Sequence, residues 1–265
     1  MIRVDREPCP RSLADNADVW TRELCDEWLN YHATIQNLLA GAASPKPPHA
    51  KKDRYANAGV KRALKVMFGP KCCYCEAKVD VVSYRQVEHF RPQSIYPALA
   101  YRWSNLLFAC ERCNGSKSDQ FPLVPGEQQA QPNVESPCDL DDGDATLLID
   151  PCKDDPSGHF EYAFDEQPDA DYVDVVLVCK TRNGELSRGV YGLDRTDLVD
   201  DMREHLQGLR LDVSGYQMAV ALGSTRERRQ FERSLRKASG DKSVYTAYDA
   251  RVPGVSRHCS RLAFE

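Results

Sequence analysis

Two cysteine pairs constrain this chain more than any other feature. Cys72 and Cys75 stand in KCCYCEAK, and Cys110 and Cys113 stand in CERCNGSK. Two CxxC knuckles in one stretch read as a tetrahedral Zn²⁺ site with four thiolate ligands. Such a site replaces the apolar core that a small unit cannot build for itself. Cys73 lies inside the first pair, and its CxC spacing to Cys75 does not suit a knuckle, so it should point away. The gap between the pairs is 34 residues, longer than a minimal zinc ribbon needs. It holds Glu88-His89 and Asn105, and Asn114 follows directly on the last cysteine.

The other cysteines, Cys9, Cys25, Cys73, Cys138, Cys152, Cys179 and Cys259, show no second paired spacing. The first residues, MIRVDREPCPRS, carry no apolar h-region, and no apolar run is long enough to cross a bilayer. The expectation is a cytoplasmic chain without membrane contact, whose thiols stay reduced, with these seven as ordinary thiols.

Net charge is -5, which speaks against indiscriminate binding to polyanions. Its distribution says more. Residues 51–120 hold 13 Lys and Arg against 6 Asp and Glu, a net +7 that leaves -12 for the rest. Basic charge therefore coincides with the knuckles and suggests a polyanionic substrate. Residues 139–171 hold 12 acids and one base, Lys153, and read as a solvated acidic loop.

Three regions follow: 1–70, 71–125 and 126–265. The first is helical, with an apolar stripe over 18–39, a break at Ser44-Pro45-Lys46-Pro47-Pro48, and a second helix over 54–68 ended by Gly69-Pro70. In the second, 79–82 and 86–90 read as strands of a ribbon. Ser104 reads as the N-cap of a short helix over 105–109, and another turn begins near Cys113. In the third, strands are expected over 159–164 and 173–178. A long helix is expected over 196–216, and a basic one over 226–237. The fold class is α+β, with a ββα unit between a helical segment and a mixed, mainly helical remainder.

Phosphodiester hydrolysis needs an activated water, charge neutralisation at the phosphate and help for the leaving oxygen. One divalent cation on hard oxygen ligands supplies the last two, and Glu88 with the Asn114 side-chain oxygen are such ligands. His89 is suited to take the proton from water, and Asn105 to hold the His89 segment in line. Neighbours on a strand face opposite ways. Glu88 and His89 can therefore flank one centre only if the strand ends there, and Arg91-Pro92 makes such an ending. Arg85, Arg91 and Lys117 lie beside these residues and are candidates for substrate phosphates.

The ordered set CxxC, Glu88-His89, Asn105, CxxC-Asn114 and Lys117 resembles the HNH endonuclease family in its Cys₄-stabilised branch. The resemblance implies a ββα-metal fold, Mg²⁺ or Mn²⁺ catalysis by a hydrolase beside a structural Zn²⁺, and DNA as the usual substrate, with RNA left open. It places His89 at the family's first His, Glu88 at the metal-binding acid before it, and Asn105 at the middle Asn. Asn114 stands where the last residue is often His. The runs VEHFRP, Tyr96-Pro97 and WSNL are similar to a narrower group, the PtuB-type nucleases of Septu anti-phage systems. Leu148-Ile149-Asp150-Pro151 and Tyr191-Gly192-Leu193-Asp194-Arg195 fit that group more loosely. That resemblance implies antiviral defence beside an ABC/SMC-like ATPase, with 71–125 as the HNH core and 126–265 available for docking. Two other readings stay open: a stand-alone restriction or mobile-element nuclease, and a zinc-binding interaction module without catalysis.

Overall fold

The computed structural model describes residues 1–38, 43–79, 86–125, 145–165 and 174–238. The N-terminal region folds as α1 (Arg11–Ala14), α2 (Ala17–Gln36), α3 (Lys52–Tyr55) and α4 (Ala58–Phe68). The single helix expected over 54–68 is interrupted. Asn57 caps α4 by accepting from the amides of Gly59 and Val60, so the chain turns between α3 and α4. Val60, Leu64, Met67 and Phe68 form the buried stripe of α4, as their spacing requires.

The centre is a β-hairpin closed by a helix: β1 (Gln86–His89), β2 (Leu106–Ala109) and α5 (Glu111–Lys117). β1 and β2 are antiparallel, with Val87 opposite Phe108 and His89 opposite Leu106. Here the sequence expectation needs correction. Residues 106–109 form a strand, not a helix, and all four are buried. A continuous apolar run of that length reads equally as a buried strand, and pairing with β1 satisfies its backbone. The helix begins only after Cys110, whose sulfur accepts from the Cys113 amide and caps it. The strand expected over 79–82 falls mostly outside the described residues. The acidic stretch is described over 145–165, and there it is not the solvated loop expected: Leu147, Leu148, Ile149 and Asp150 are buried, and Phe160–Asp165 is a strand.

The remainder adds β3 (Phe160–Asp165) paired with β4 (Asp174–Cys179), then α6 (Arg182–Tyr191), α7 (Thr196–Ala221) and α8 (Thr225–Ala238). α6 has no counterpart among the sequence expectations. α7 and α8 pack tightly where Phe231 lies over Gly215; a Cβ there would meet the ring at 2.4 Å. No helix among the described residues is long and apolar enough to cross a membrane.

One apolar core runs from Leu13 and Trp28 through Leu64, Tyr74 and Leu107 to Tyr191 and Leu206. An N-terminal arm straps the hairpin to it. Arg6 donates to the carbonyls of Trp103 (2.6 Å) and Leu106 (3.0 Å), and the Trp103 indole donates to the carbonyl of Glu7 (2.7 Å).

Candidate active site and metal centre

The two knuckles meet because β2 carries one to the other. The Cys73 amide donates to the Phe108 carbonyl (2.9 Å), which fixes the first knuckle against β2 just ahead of Cys110. The turn closes with Glu76 donating to the Cys72 carbonyl (3.1 Å), Glu76 itself at φ +60°. The sulfurs of Cys72, Cys75, Cys110 and Cys113 are all buried and lie within 4.8 Å of one another. A tetrahedral Zn²⁺ with Zn–S near ~2.3 Å sets its sulfurs about 3.8 Å apart, and Cys75 and Cys110 are 3.9 Å apart. Burial pushes the Cys72 thiol well above its ordinary range. A soft divalent cation is what would hold such a set as thiolates, and these residues fit Zn²⁺. Cys73 stands outside the cluster as expected, its thiol pushed up to about 11 by burial. Cys25, buried in α2, is disulfide-bonded, which departs from the free-thiol expectation.

Alternation along β1 puts Gln86 and Glu88 on one face and Val87 and His89 on the other. α5 lies along the first face. The Asn114 amide donates to the Gln86 side-chain oxygen. The Lys117 ammonium meets Glu88 Oε1 at 2.8 Å and donates to the His89 carbonyl at 3.0 Å. Lys117 is fully buried and Glu88 nearly so. Burial raises the Glu88 carboxyl, and the adjacent ammonium pulls against that rise.

His89 ends the strand and faces away from α5. Its Nε2 lies 2.9 Å from the Ala100 carbonyl, and the edge of its ring meets Tyr55, with centroids 4.5 Å apart. A carbonyl only accepts, so Nε2 carries the proton and Nδ1 keeps the lone pair. Burial pushes the imidazole down to about 4, so His89 is neutral at physiological pH. Asn105 fixes the bend that follows. Its Oδ1 accepts from the Arg91 amide (2.7 Å), and its Nδ2 donates to the carbonyls of Arg91 (3.0 Å) and Leu99 (3.1 Å).

The structure thus gathers Glu88, His89, Asn105 and Asn114 on one ββα unit, with Glu88 and Asn114 on the β1–α5 seam and His89 at the strand's end. The three basic candidates stand differently. Lys117 is engaged with Glu88. Arg91 is buried, its guanidinium over the rings of Phe121 (4.9 Å) and Tyr96 (5.5 Å). Neither is at the surface, and Arg85 lies outside the described residues. Sequence reasoning assigned no role to Arg195, which donates to the sulfurs of Cys113 (3.5 Å) and Cys75 (3.7 Å). Nor did it find the stack of Tyr191 on Tyr74, with centroids 3.9 Å apart. The available signal was the tyrosine inside the first knuckle, together with the motif that ends in Arg195.

A β-hairpin closed by a helix, with knuckles at both entrances, is an HNH endonuclease core, and residues 72–120 match the HNH endonuclease family. A Septu protein PtuB of Bacillus mycoides (strain KBAB4) is 32% identical over 228 residues, 80% of this chain and 69% of that protein. A Septu protein PtuB of Bacillus thuringiensis is 42% identical over 83 residues, 29% of this chain and 30% of that one. The chain belongs to the PtuB family of HNH endonucleases. It is also similar to a Septu protein PtuA of Bacillus mycoides (strain KBAB4), 27% identical over 154 residues, 53% of this chain and 20% of that protein. No solved structure matches.

Proposed function

We propose that this chain is a metal-dependent endonuclease that hydrolyses phosphodiester bonds of DNA. In this reading it acts in the cytoplasm as the effector nuclease of an anti-phage defence complex with an ABC/SMC-like ATPase. The observation that supports the chemistry most is His89, neutral and turned so that Nδ1 holds the lone pair, at the end of the strand that carries Glu88.

Glu88 and Asn114 would hold Mg²⁺ or Mn²⁺. The donor set suits a hard cation: both offer oxygen, both project into the β1–α5 seam, and the buried Glu88 carboxylate already takes a cationic partner. When bound, such an ion neutralises charge at the scissile phosphate and assists the leaving oxygen. His89 accepts the proton of the attacking water at Nδ1. The Ala100 carbonyl holds the ring through Nε2–H and favours the imidazolium that results. Asn105 pins the Phe90–Arg91 bend so that the ring keeps its line of attack. Arg85, Arg91 and Lys117 are the proposed phosphate contacts; Lys117 can act so only once its pair with Glu88 opens, and Arg91 only once it leaves the rings of Phe121 and Tyr96.

In the same reading 71–125 is the catalytic core, 1–70 braces it, and 126–265 docks the ATPase. Exposed Leu211, Met218 and Val220 on α7, with Leu222 directly after it, support a docking role for that region. The test is nicking of supercoiled DNA with Mg²⁺ or Mn²⁺, with and without the neighbouring ATPase. His89→Ala should lower cleavage ~10²-fold or more while keeping the fold. Wild-type cleavage by His89→Ala would refute the mechanism. A monomer fully active alone would refute the partnership and leave the stand-alone nuclease.

A further inference from the structure

Two motifs in the C-terminal region, around Ile149 and around Tyr191–Arg195, have no place in the chemistry above. In the fold they converge on the zinc knuckles. Ile149 donates its amide to Ser187 Oγ (2.9 Å) and accepts at its carbonyl from the Tyr191 hydroxyl (3.0 Å). Tyr191, fully buried, then stacks nearly parallel (12°) on Tyr74, which lies between the ligand cysteines of the first knuckle. α6 ends one residue later at Gly192, in the left-handed region at φ +60°. A Cβ at Gly192 would come within 3.1 Å of Ser116 Oγ, so this turn sits directly on α5. The turn aims Arg195 back at the sulfurs. Its guanidinium is held by the Gly192 carbonyl (2.8 Å) and by Asp197 (3.3 Å). It reaches Cys113 on the second knuckle and Cys75 on the first.

We infer that Arg195 is a positioning residue of the zinc site, bridging one thiolate from each knuckle and locking the C-terminal region onto α5. This rests on the reading of the four cysteines as a Zn²⁺ site. Four thiolates on one Zn²⁺ carry an excess of two negative charges in a buried place. A planar, permanently charged fork that donates to two of them offsets that excess and fixes their direction. A lysine in its place keeps the charge but cannot present two rigid donors at once. The core over 71–125 is therefore completed by a residue some eighty positions beyond Cys113, and a core cut off at 125 lacks part of its metal site.

The test uses the full chain and does not measure nuclease activity. Zinc content, zinc release to a chromophoric chelator, and the thiolate-to-metal charge-transfer band of the Co²⁺-substituted protein are compared for wild type, Arg195→Gln and Arg195→Lys. Arg195→Gln should release Zn²⁺ about 10–100-fold faster, the range seen when an outer partner of a metal ligand is lost. Its Co²⁺ band should move to lower energy, because the sulfurs lose a cation that stabilises their lone pairs. Arg195→Lys should lie between. The band separates positioning from general stability, since a merely structural arginine would leave it unmoved. Wild-type release rates and bands in both variants would overturn the inference. If Arg195→Gln does not fold, Arg195→Lys decides alone, and wild-type behaviour overturns it. A wild-type chain that binds no zinc would instead sink the Cys₄ reading, an outcome distinct from any result on nuclease activity.

Discussion

Lys117→Met removes one half of a fully buried ion pair and keeps its bulk. Glu88 is then left 6% exposed with no ammonium, and the His89 carbonyl loses a donor. Leaving a buried charge uncompensated costs about 3–5 kcal/mol. The carboxyl has an escape, which is to fold protonated. Above its ordinary value of 4.5 that escape costs about 1.4 kcal/mol per pH unit. The destabilisation is thereby limited to about 4 kcal/mol at pH 7.5 and about 2 kcal/mol at pH 6.0. The sign follows from proton counting. In this window the unfolded chain carries Glu88 ionised and the folded variant carries it neutral. The folded state binds the extra proton, so the variant loses stability relative to wild type as pH rises. Urea unfolding at the two pH values, in zinc-replete buffer, measures it. At slopes near the upper end for urea, the midpoint should fall by about 1–2 M at pH 7.5 and about half as far at pH 6.0. Glu88→Gln on the Lys117→Met background should recover much of the loss and abolish the pH dependence. A Lys117→Met chain within about 1 kcal/mol of wild type at pH 7.5, with no slope against pH, would refute the ion-pair argument.

Three further outcomes are expected. His89 is neutral down to about pH 4, so the stability that wild type holds over His89→Gln should shrink as pH falls from 6.5 toward 4, by up to ~3 kcal/mol; a constant difference would contradict the burial argument. Asn105→Ala strips three hydrogen bonds from the Leu99 and Arg91 backbone; it should cost about 2–3 kcal/mol and lower kcat less than His89→Ala does, and an unchanged midpoint with a full loss of rate would show that Asn105 acts on substrate instead. Stripping Zn²⁺ should unfold the β1–β2–α5 unit rather than merely slow it, read by far-UV circular dichroism against zinc stoichiometry; a metal-free chain with a native spectrum would make the knuckles dispensable.

The four-cysteine cluster was legible because its signal is residue type and spacing, which survives without any knowledge of packing. Helices with a wide apolar stripe were legible for the same reason: α4 and α7 begin or end close to where their stripes do. What stayed hidden depended on a distant partner. Leu106–Ala109 is apolar throughout and carries no period; only β1, twenty residues upstream, makes it a strand. α6 is rich in polar residues and Gly184 and Gly189, so local propensity argues against it, and its capping by Thr181 and its packing outweigh that. Arg91 and Lys117 read as surface bases because long cationic side chains usually are. Their burial needs the ring of Phe121 and the carboxylate of Glu88, each far along the chain from the base it meets.

These dependences form one chain of position. Glu88 and His89 lie on opposite faces of β1, so a centre that uses both must sit around the strand's end, where Asn105 holds the bend. The other wall of that centre is α5, whose register along β1 decides whether Asn114 and Lys117 reach Gln86 and Glu88. α5 is only seven residues long, too short to hold itself. Its start is tied by Cys110 and Cys113, and its end meets the Gly192 turn at Ser116. A loosening of the sulfur cluster or of that turn should therefore be felt at Glu88, across the helix, before it is felt at the His89 ring, which Ala100 and Tyr55 hold even though Lys117 also reaches the His89 carbonyl. Knuckle variants that still fold should accordingly weaken the proposed metal-dependent cleavage more than they disturb the neutral state of His89. Histidine NMR across pH can follow that state directly, and a His89 that becomes exposed and titrates near 6.5 in such variants would show that His89 and the β1–α5 seam are held by one support rather than two.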